Sequence, residues 1–529
     1  MENEMNLSIK QELETLYEKE VWADVTLGEA LENWAKRFGE NTAITFDGED
    51  YSYEELNKKA SRAGAGFLSL GFKPEDKIVV QLPNSFEFVA LVFGMFKVGI
   101  VPIFALPAQR KNEIFGIIDT ANAVGYVVPD MYMGFDYLAL AKEVIEMGYK
   151  GKVIASGEDG DFLSTEALFE EEAEAFVENI SPSSVALYLL SGGTTGIPKL
   201  IPRRHGDYLY MASQIAGRLE LNEETVYLVS LPVEHNFPWG CPGVIGTLNV
   251  GGRVVLSSVS SPDEILGLIE DEGVTITALV PVLANMCIDL LEYDDYDLST
   301  LKVVQVGGSV LDPNLAMRIE ESFDCILQQV FGIAEGLICT TKLDDDETRF
   351  YKQGTPVSTY DEPRIVDENG KDVPVGQFGH LITRGPYTIY SYFKGAKECV
   401  DDECYFLTGD RARFCEDGNI QVVGRLMEMI NRAGEKIDPT ELEDMLVSHP
   451  DIEDVQVVGI KDENLGEKIC VFIRDDEETL KLNEIREFLI SNNVAAFKLP
   501  DQIKYVPEWP LTNIGKINRK ELKKMGEVI

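Results

Sequence analysis

The chain has 529 residues and a formal charge of −44, from 91 acidic and 47 basic side chains. Its 45% hydrophobic share excludes a disordered acidic polymer, which lacks the apolar mass to offset chain entropy, and the length suggests about three folding units. The acidity argues against nucleic acid as a main partner, because phosphate binding needs a basic face.

The N-terminus, MENEMNLSIKQELETLYEKE, is polar and acidic. It has no basic stretch leading into an apolar one, so no signal peptide is expected. Helical spacing runs over residues 54–70 and a strand is expected at 77–81. The most apolar stretch, 88–108, contains Gly94, Lys97, Gly99 and Pro102. A membrane span needs about 20 apolar residues with few charges, so this stretch reads as a buried helix, a turn and a buried strand, and no membrane partner is expected. Apolar runs at 185–190, 226–231, 253–256, 275–280 and 303–306 alternate with helical patterns such as 262–272. That alternation predicts mostly parallel sheets covered by helices. The acidic runs 170–174, 344–347 and 475–478 read as solvated loops or helix faces.

After Asp361 the texture changes. Short strands at 362–366, 380–383 and 419–423, separated by Gly and Asp turns, predict a β-rich unit. A boundary is expected at Gly424–Arg425. Beyond it a helix at 439–449, strands at 455–460 and 469–473 and a helix at 482–491 read as βαβ-like alternation. The expected fold is α/β: a large N-terminal domain, 1–424, of parallel-rich sheets covered by helices with a β-rich subdomain at about 361–424, then a small mobile α+β domain, 425–529. All eight cysteines follow residue 240 without a C-x-x-C pair, and the four histidines are scattered. This suggests a reducing cytoplasm and no zinc site.

The most informative segment is Leu190-Ser191-Gly192-Gly193-Thr194-Thr195-Gly196-Ile197-Pro198-Lys199. It follows the apolar run 185–190. Small residues let backbone approach an anion, successive N–H groups can form an anion-binding nest, and three hydroxyls and a lysine add donors and charge. It is not the Walker form, because Gly196 and Lys199 are separated and no Ser or Thr follows the lysine. A flexible Gly/Thr hairpin is the plainer alternative.

The string resembles the adenylate-forming superfamily of acyl-CoA synthetases, peptide-synthetase adenylation domains and luciferases. Further motifs match in order. Gln329-Val330-Phe331-Gly332-Ile333-Ala334-Glu335-Gly336 resembles the adenine and metal segment, and Tyr405-Phe406-Leu407-Thr408-Gly409-Asp410 the ribose segment. Gly424-Arg425 with Asn431-Arg432-Ala433-Gly434-Glu435-Lys436-Ile437 resembles the hinge region, and Pro510-Leu511-Thr512-Asn513-Ile514-Gly515-Lys516 the terminal lysine motif.

The resemblance implies ATP bound by Ser191, Gly192, Gly193, Thr194, Thr195, Gly196, Lys199, Gly307, Gly308, Val330, Phe331, Gly332, Asp410, Arg425 and Lys516. Thr194, Lys199, Glu335 and Lys516 are the implied catalytic set. Glu335 is the implied Mg2+ ligand, since Mg2+ takes hard oxygen donors and substrate phosphates. Asp410 can accept both ribose hydroxyls. Lys516 is the strongest catalytic candidate, because a carboxylate attacking a phosphate brings two anions together and needs positive charge. At the hinge, two residues after Arg425, the family usually has Lys or Asp; here Met427 departs from that pattern.

Within the superfamily the likeness is to stand-alone aryl acid–AMP ligases that start catecholate or phenolate siderophores. Leu231-Pro232-Val233-Glu234-His235-Asn236-Phe237-Pro238, Cys241-Pro242-Gly243 and Arg384-Gly385-Pro386-Tyr387-Thr388 carry it. His235, Asn236, Phe237, Cys241, Gly308, Ala334 and Ile338 are the implied acid-binding residues. Asn236 stands where amino-acid-activating members use an acidic residue for a substrate amine, and a neutral amide suits a ring hydroxyl. Cys241 stands where dihydroxybenzoate members usually carry Ser. A thiol is a weak donor and a small hydrophobe, and Ile338 narrows the same pocket, so salicylate is favoured over 2,3-dihydroxybenzoate. Trp239 has no account at this level.

The implied activity is formation of aryl-AMP with pyrophosphate release, then transfer to the phosphopantetheine thiol of a separate carrier protein or to CoA, since only 13 residues follow Lys516. The alternatives are a 2,3-dihydroxybenzoate–AMP ligase, an aryl- or acyl-CoA ligase, or a non-catalytic nucleotide and acid sensor. Monomer and homodimer both remain open.

Overall fold

The computed structural model describes residues 2–158, 160–171, 173–191, 198–395, 399–425, 429–437, 439–452, 454–474, 480–510 and 519–527. Two large sheets dominate the first part of the chain. One has seven strands in the order Leu200–Arg204, Val185–Leu190, Val101–Phe104, Lys77–Val80, Gly125–Pro129, Lys152–Ser156 and Leu163–Ser164. The other has nine, in the order Thr355–Pro356, Ile338–Thr340, Ile326–Gly332, Val303–Gly307, Ile276–Leu279, Val226–Val229, Arg253–Leu256, Thr42–Phe46 and Glu49–Ser52. Their interiors are parallel; antiparallel strands close the edges, Leu200–Arg204 in the first and Glu49–Ser52 and Ile338–Thr340 in the second.

Successive strand side chains face opposite ways, so each strand feeds two cores. Ile78, Val80 and Val127 from the first sheet meet Ile44, Tyr227 and Val229 from the second in one central cluster. Helices Leu27–Phe38, Tyr53–Ser69 and Phe86–Lys97 supply its filling. Val79, Ile103 and Val128 face outward onto helices Lys111–Ala121 and Tyr137–Glu146. Leu228, Val255 and Val304 face helices Pro262–Glu272, Pro281–Leu291 and Pro313–Phe323. The layers therefore run helix, sheet, helix, sheet, helix, which explains the near-continuous apolar strand runs. The stretch 88–108 folds as expected: helix Phe86–Lys97, then strand Val101–Phe104. Lys97 is tolerated there because, although fully buried, it is ion-paired to Glu32.

The β-rich unit is a four-stranded antiparallel sheet of Glu362–Val366, Gly379–Arg384, Phe406–Phe414 and Ile420–Arg425. A second small sheet begins at Ile430 and has its own core, with Ile430, Ile437, Leu442, Leu446, Val457, Val471 and Leu489 among its residues. The βαβ-like reading of this part holds for its second half and is corrected by the pairing in the first. Strands Val455–Asp462 and Gly466–Arg474 form an antiparallel hairpin, because Asp462 accepts from the Asn464 and Leu465 amides and Gly466 takes a positive φ of 74° to turn the chain. The parallel partner of Gly466–Arg474 is Gln502–Val506, reached after helix Leu482–Ser491. The helix expected over 439–449 ends at Leu446. Among the described residues no helix is long and apolar enough to cross a membrane.

Candidate active site

The Gly/Thr string connects the antiparallel strands Val185–Leu190 and Leu200–Arg204. Its neck is closed by the Ser191 amide donating to the Lys199 carbonyl at 2.9 Å. Gly192, Gly193, Thr194, Thr195, Gly196 and Ile197 lie outside the described residues. Ser191 Oγ is buried and has no hydrogen-bond partner among the described residues, so a hydroxyl donor stands ready at the loop entrance. Lys199 Nζ lies 4.9 Å from the centre of the Tyr392 ring. Tyr392 in turn donates its hydroxyl to Glu335 Oε1 at 3.0 Å, and the Glu335 carbonyl accepts from the Ile389 amide at 2.8 Å. A cation, a phenol and a carboxylate from three separate segments thus share one edge.

Strand Ile326–Gly332 carries Val330 beside Gly307 of the parallel strand Val303–Gly307. A Cβ on Gly307 would lie 2.8 Å from the Val330 carbonyl oxygen and 3.1 Å from the Phe237 ring. The glycine is what lets Phe237 close in. Asp410 is 4% exposed on strand Phe406–Phe414, and its cross-strand partner is Arg425. Both residues of the expected ribose pair therefore start from adjacent backbone positions. The Asp410 amide donates to Thr408 Oγ1 at 3.0 Å.

The acid-pocket residues gather where segment 231–243 leaves strand Val226–Val229. Asn236 opens the short helix Asn236–Gly240, with His235 at its N-cap. Tyr208 donates to Asn236 Oδ1 at 2.8 Å, and Asn236 Nδ2 donates to Cys241 Sγ at 3.4 Å. This chain orients the amide and leaves it one further N–H to offer. Cys241 is 1% exposed, and burial pushes its thiol up to about 12, so it is a neutral group. Ile338, also buried, packs against the exposed Gly332: a Cβ on that glycine would lie 2.5 Å from Ile338 Cδ1. The Ala334 carbonyl accepts from Arg203 Nη1 at 3.3 Å. Arg203 is fully buried, pairs with Asp207 at 3.2 Å, and lies 4.8 Å from the Tyr208 ring centre. Trp239 turns away from this chain, with its ring edge-on to Phe88 and Phe104 in the central core.

The hairpin of Ile430–Arg432 and Glu435–Ile437 packs beside Gly308, Val280 and His235. Asn431 Nδ2 donates to the Gly308 carbonyl at 2.8 Å. Gly434 has φ +90°, and a Cβ there would lie 2.9 Å from Val280 Cγ1. A Cβ on Gly308, φ +87°, would lie 3.3 Å from the same methyl group. Two glycines are thus needed for the approach. His235 Nε2 and Glu435 Oε1 are 3.4 Å apart. Burial would raise the Glu435 carboxyl, but contact with His235 and the field of Lys498 outweigh it and hold it below its ordinary value. Glu234 is 3% exposed and neither carboxylate oxygen has a hydrogen-bond partner among the described residues. Burial pushes its carboxyl well up, with Glu435 adding to the effect. Met427 and Lys516 lie outside the described residues, and nothing is described of the Arg425 side chain.

Comparison with known proteins matches residues 31–393 to the AMP-binding enzyme family and residues 441–516 to the AMP-binding enzyme C-terminal domain. The chain belongs to the AMP-binding enzyme family. It is 43% identical over 515 residues to the 2,3-dihydroxybenzoate-AMP ligase of Bacillus subtilis, covering 96% of this chain and 95% of that protein. It is 38% identical over 512 residues to a Mycobacterium tuberculosis protein named salicyl-AMP ligase / salicyl-S-ArCP synthetase, covering 95% and 91%. The apo structure of MbtA from Mycobacterium smegmatis superimposes with a TM-score of 0.74 at 36% identity, covering 97% of each chain.

A member of this family uses ATP, and the residues present fit it: the Ser191 hydroxyl at the loop neck is a buried donor without an acceptor among the described residues. The metal position also fits. Among the described residues no three His, Cys, Asp or Glu side chains gather as a cage. A single carboxylate at Glu335 suits Mg2+, which completes its shell with phosphate oxygens and water. Tyr208 and Tyr392 escape the sequence reading because each acts through a partner more than 20 positions away. Arg203 escapes it because its pair with Asp207 spans the end of a strand and the start of a helix, where no single period applies.

Proposed function

We propose that the chain activates an aryl acid as its adenylate and passes the acyl group to the phosphopantetheine thiol of a separate carrier protein, with salicylate preferred over 2,3-dihydroxybenzoate. The observation that carries this reading is the Tyr208–Asn236–Cys241 chain: a neutral amide held by a phenol, beside a neutral buried thiol. A substrate amine would call for a carboxylate there; a ring hydroxyl does not. The similar proteins carry names for both ring types, so they support an aryl acid and leave the choice between the two to Cys241. The carrier-protein acceptor draws support from the name of the M. tuberculosis relative.

In the first step a carboxylate oxygen of the acid attacks the α-phosphorus of ATP, the bond to the β-phosphate oxygen breaks, and pyrophosphate leaves. Ser191, Gly192, Gly193, Thr194, Thr195, Gly196 and Lys199 bind the phosphates, and Lys516 brings a second positive charge to the reacting centre. Glu335 would hold Mg2+, whose charge offsets the repulsion between two anions when bound. Val330, Phe331 and Gly332 take the adenine side, and Asp410 with Arg425 the ribose. Gly307, Gly308, Phe237, Ala334 and Ile338 bound the ring, with Asn236 donating to its 2-hydroxyl. In the second step the thiol sulfur attacks the acyl carbon, AMP leaves, and the thiol proton passes to solvent. We place the division near 424/425; Arg425 still pairs with Asp410 in the β-rich sheet, and the next sheet starts at Ile430.

A 3-hydroxyl facing the buried thiol would be poorly paired, at about 1–3 kcal/mol. The resulting selectivity is roughly tenfold to a hundredfold. ATP–pyrophosphate exchange with salicylate, 2,3-dihydroxybenzoate, benzoate and short aliphatic acids tests this. Salicylate is expected to lead. An aliphatic lead would overturn the aryl reading, and a dihydroxybenzoate lead would overturn the role of Cys241.

A further inference from the structure

Among the described residues, no hydrophobic cluster mixes side chains from before Arg425 with side chains from after it. The small C-terminal sheet is instead joined to the rest by polar contacts. Three of them are the Asn431–Gly308 hydrogen bond, the His235–Glu435 pair, and Asn112 Nδ2 donating to the Asn492 carbonyl at 3.0 Å. The fourth is the most buried. Lys498 Nζ lies 3.3 Å from Glu113 Oε1, across the junction, and 2.7 Å from Glu441 Oε1 on its own side. The three side chains are 9%, 5% and 12% exposed.

A buried ion pair of this kind adds little net stability, since desolvation offsets its attraction, but it demands one geometry. A polar interface without an apolar core also suits reversible docking. The hairpin lies on Gly308 and against His235, both in the expected acid-binding set. When it withdraws, Lys498 keeps Glu441 and loses Glu113, and the cation is never left bare. Glu113 keeps a second task, accepting from the Arg110 amide at 3.3 Å at the start of its own helix.

We propose that Lys498 and Glu113 form a clasp selecting the arrangement in which the Ile430–Ile437 hairpin is docked on Gly308 and His235, and that both are positioning residues whose loss shifts the balance between the two half-reactions. This rests on the two-step reading above. Its chemistry is unchanged; only the population of one domain arrangement is at stake.

Glu113→Gln is the first test, because the amide keeps the helix-capping acceptor and removes the charge; Lys498→Gln is the second. Two measurements separate the possibilities. Hydrogen exchange needs no substrate. Amides of 430–437 are expected to exchange about tenfold faster in Glu113→Gln, while Val455–Arg474 stays as in the unmodified protein. For activity, ATP–pyrophosphate exchange with salicylate and single-turnover transfer from pre-made salicyl-AMP to pantetheine are expected to change unequally, their ratio moving about tenfold. Unchanged hairpin exchange, or equal losses in both half-reactions, would overturn the clasp. Absence of pyrophosphate exchange in the unmodified protein would count against the aryl-acid reading, and the hydrogen-exchange result would still decide the clasp.

Discussion

The proposed floor of the acid pocket and the hairpin docked beside it are built on opposite principles. The floor chain is neutral and packed: Asn236 is hydrogen-bonded to Tyr208 and Cys241, and both of these belong to the central core. The hairpin side is charged and free of a shared core: Glu435, His235, Lys498 and Glu113 meet across a junction that no hydrophobic cluster spans among the described residues. Selectivity for a ring needs fixed neutral groups, because an unpaired buried hydroxyl is costly. Alternation between two half-reactions needs contacts that form and break at little net cost, which ion pairs provide.

The sharpest way to break this contrast is Lys516→Ala. If the hairpin and its flanking segments serve the two steps differently, adenylate formation falls roughly a hundredfold or more, while pre-made acyl-adenylate still reacts with thiol. Equal loss of both, measured by pyrophosphate exchange and single-turnover transfer, would erase the distinction. Cys241→Ser tests the floor. Preference in pyrophosphate exchange should move towards 2,3-dihydroxybenzoate by roughly tenfold to a hundredfold; no movement would mean that the side chain does not face the ring. Tyr208→Phe frees the Asn236 amide from its anchor. We expect about a tenfold loss of kcat/KM with salicylate, near the value of one hydrogen bond, and a smaller loss with benzoate, which has no 2-hydroxyl.

The smallest effect on activity is expected from Asp361→Asn, in the buried region behind the pocket. Burial pushes Asp361 up to about 8, against the pull of its hydrogen bond from Tyr387. The native state therefore holds a proton that the unfolded chain releases at about 4. Stability is greatest below that lower value and is lost as pH rises towards about 8. Urea midpoints at pH 5 and pH 8 should differ less in the Asn variant; an unchanged difference would show that another group sets the slope.

Much of the proposed nucleotide side could be proposed from sequence because its residues come in short contiguous strings. Ser191 and Lys199 close one loop, Val330 to Glu335 occupy one strand and turn, and Asp410 faces Arg425 across one hairpin. The parallel sheets were legible for a similar reason: strands covered on both faces read as unbroken apolar runs. Tyr208 and Tyr392 were not, since their meaning depends on Asn236 and Glu335, each contributed by a distant element. Trp239 is legible only afterwards, as a core aromatic behind the pocket and not a pocket residue. The βαβ-like reading of the C-terminal part held for Gly466–Arg474, Leu482–Ser491 and Gln502–Val506 but failed at Val455–Asp462, because strand spacing does not reveal whether a turn reverses the chain or a helix carries it across.

The sequence by itself determined the family, the apolar strands, and the strings of glycines, hydroxyls and acids proposed for the nucleotide, because those are local patterns of residue type and spacing. Only the tertiary structure decided how the Asn236 amide is oriented, that Trp239 faces the core, and that Lys498 reaches Glu113. Those depend on which distant backbones approach each other, and that is set by the packing of two sheets and a docked small domain, which no local pattern encodes.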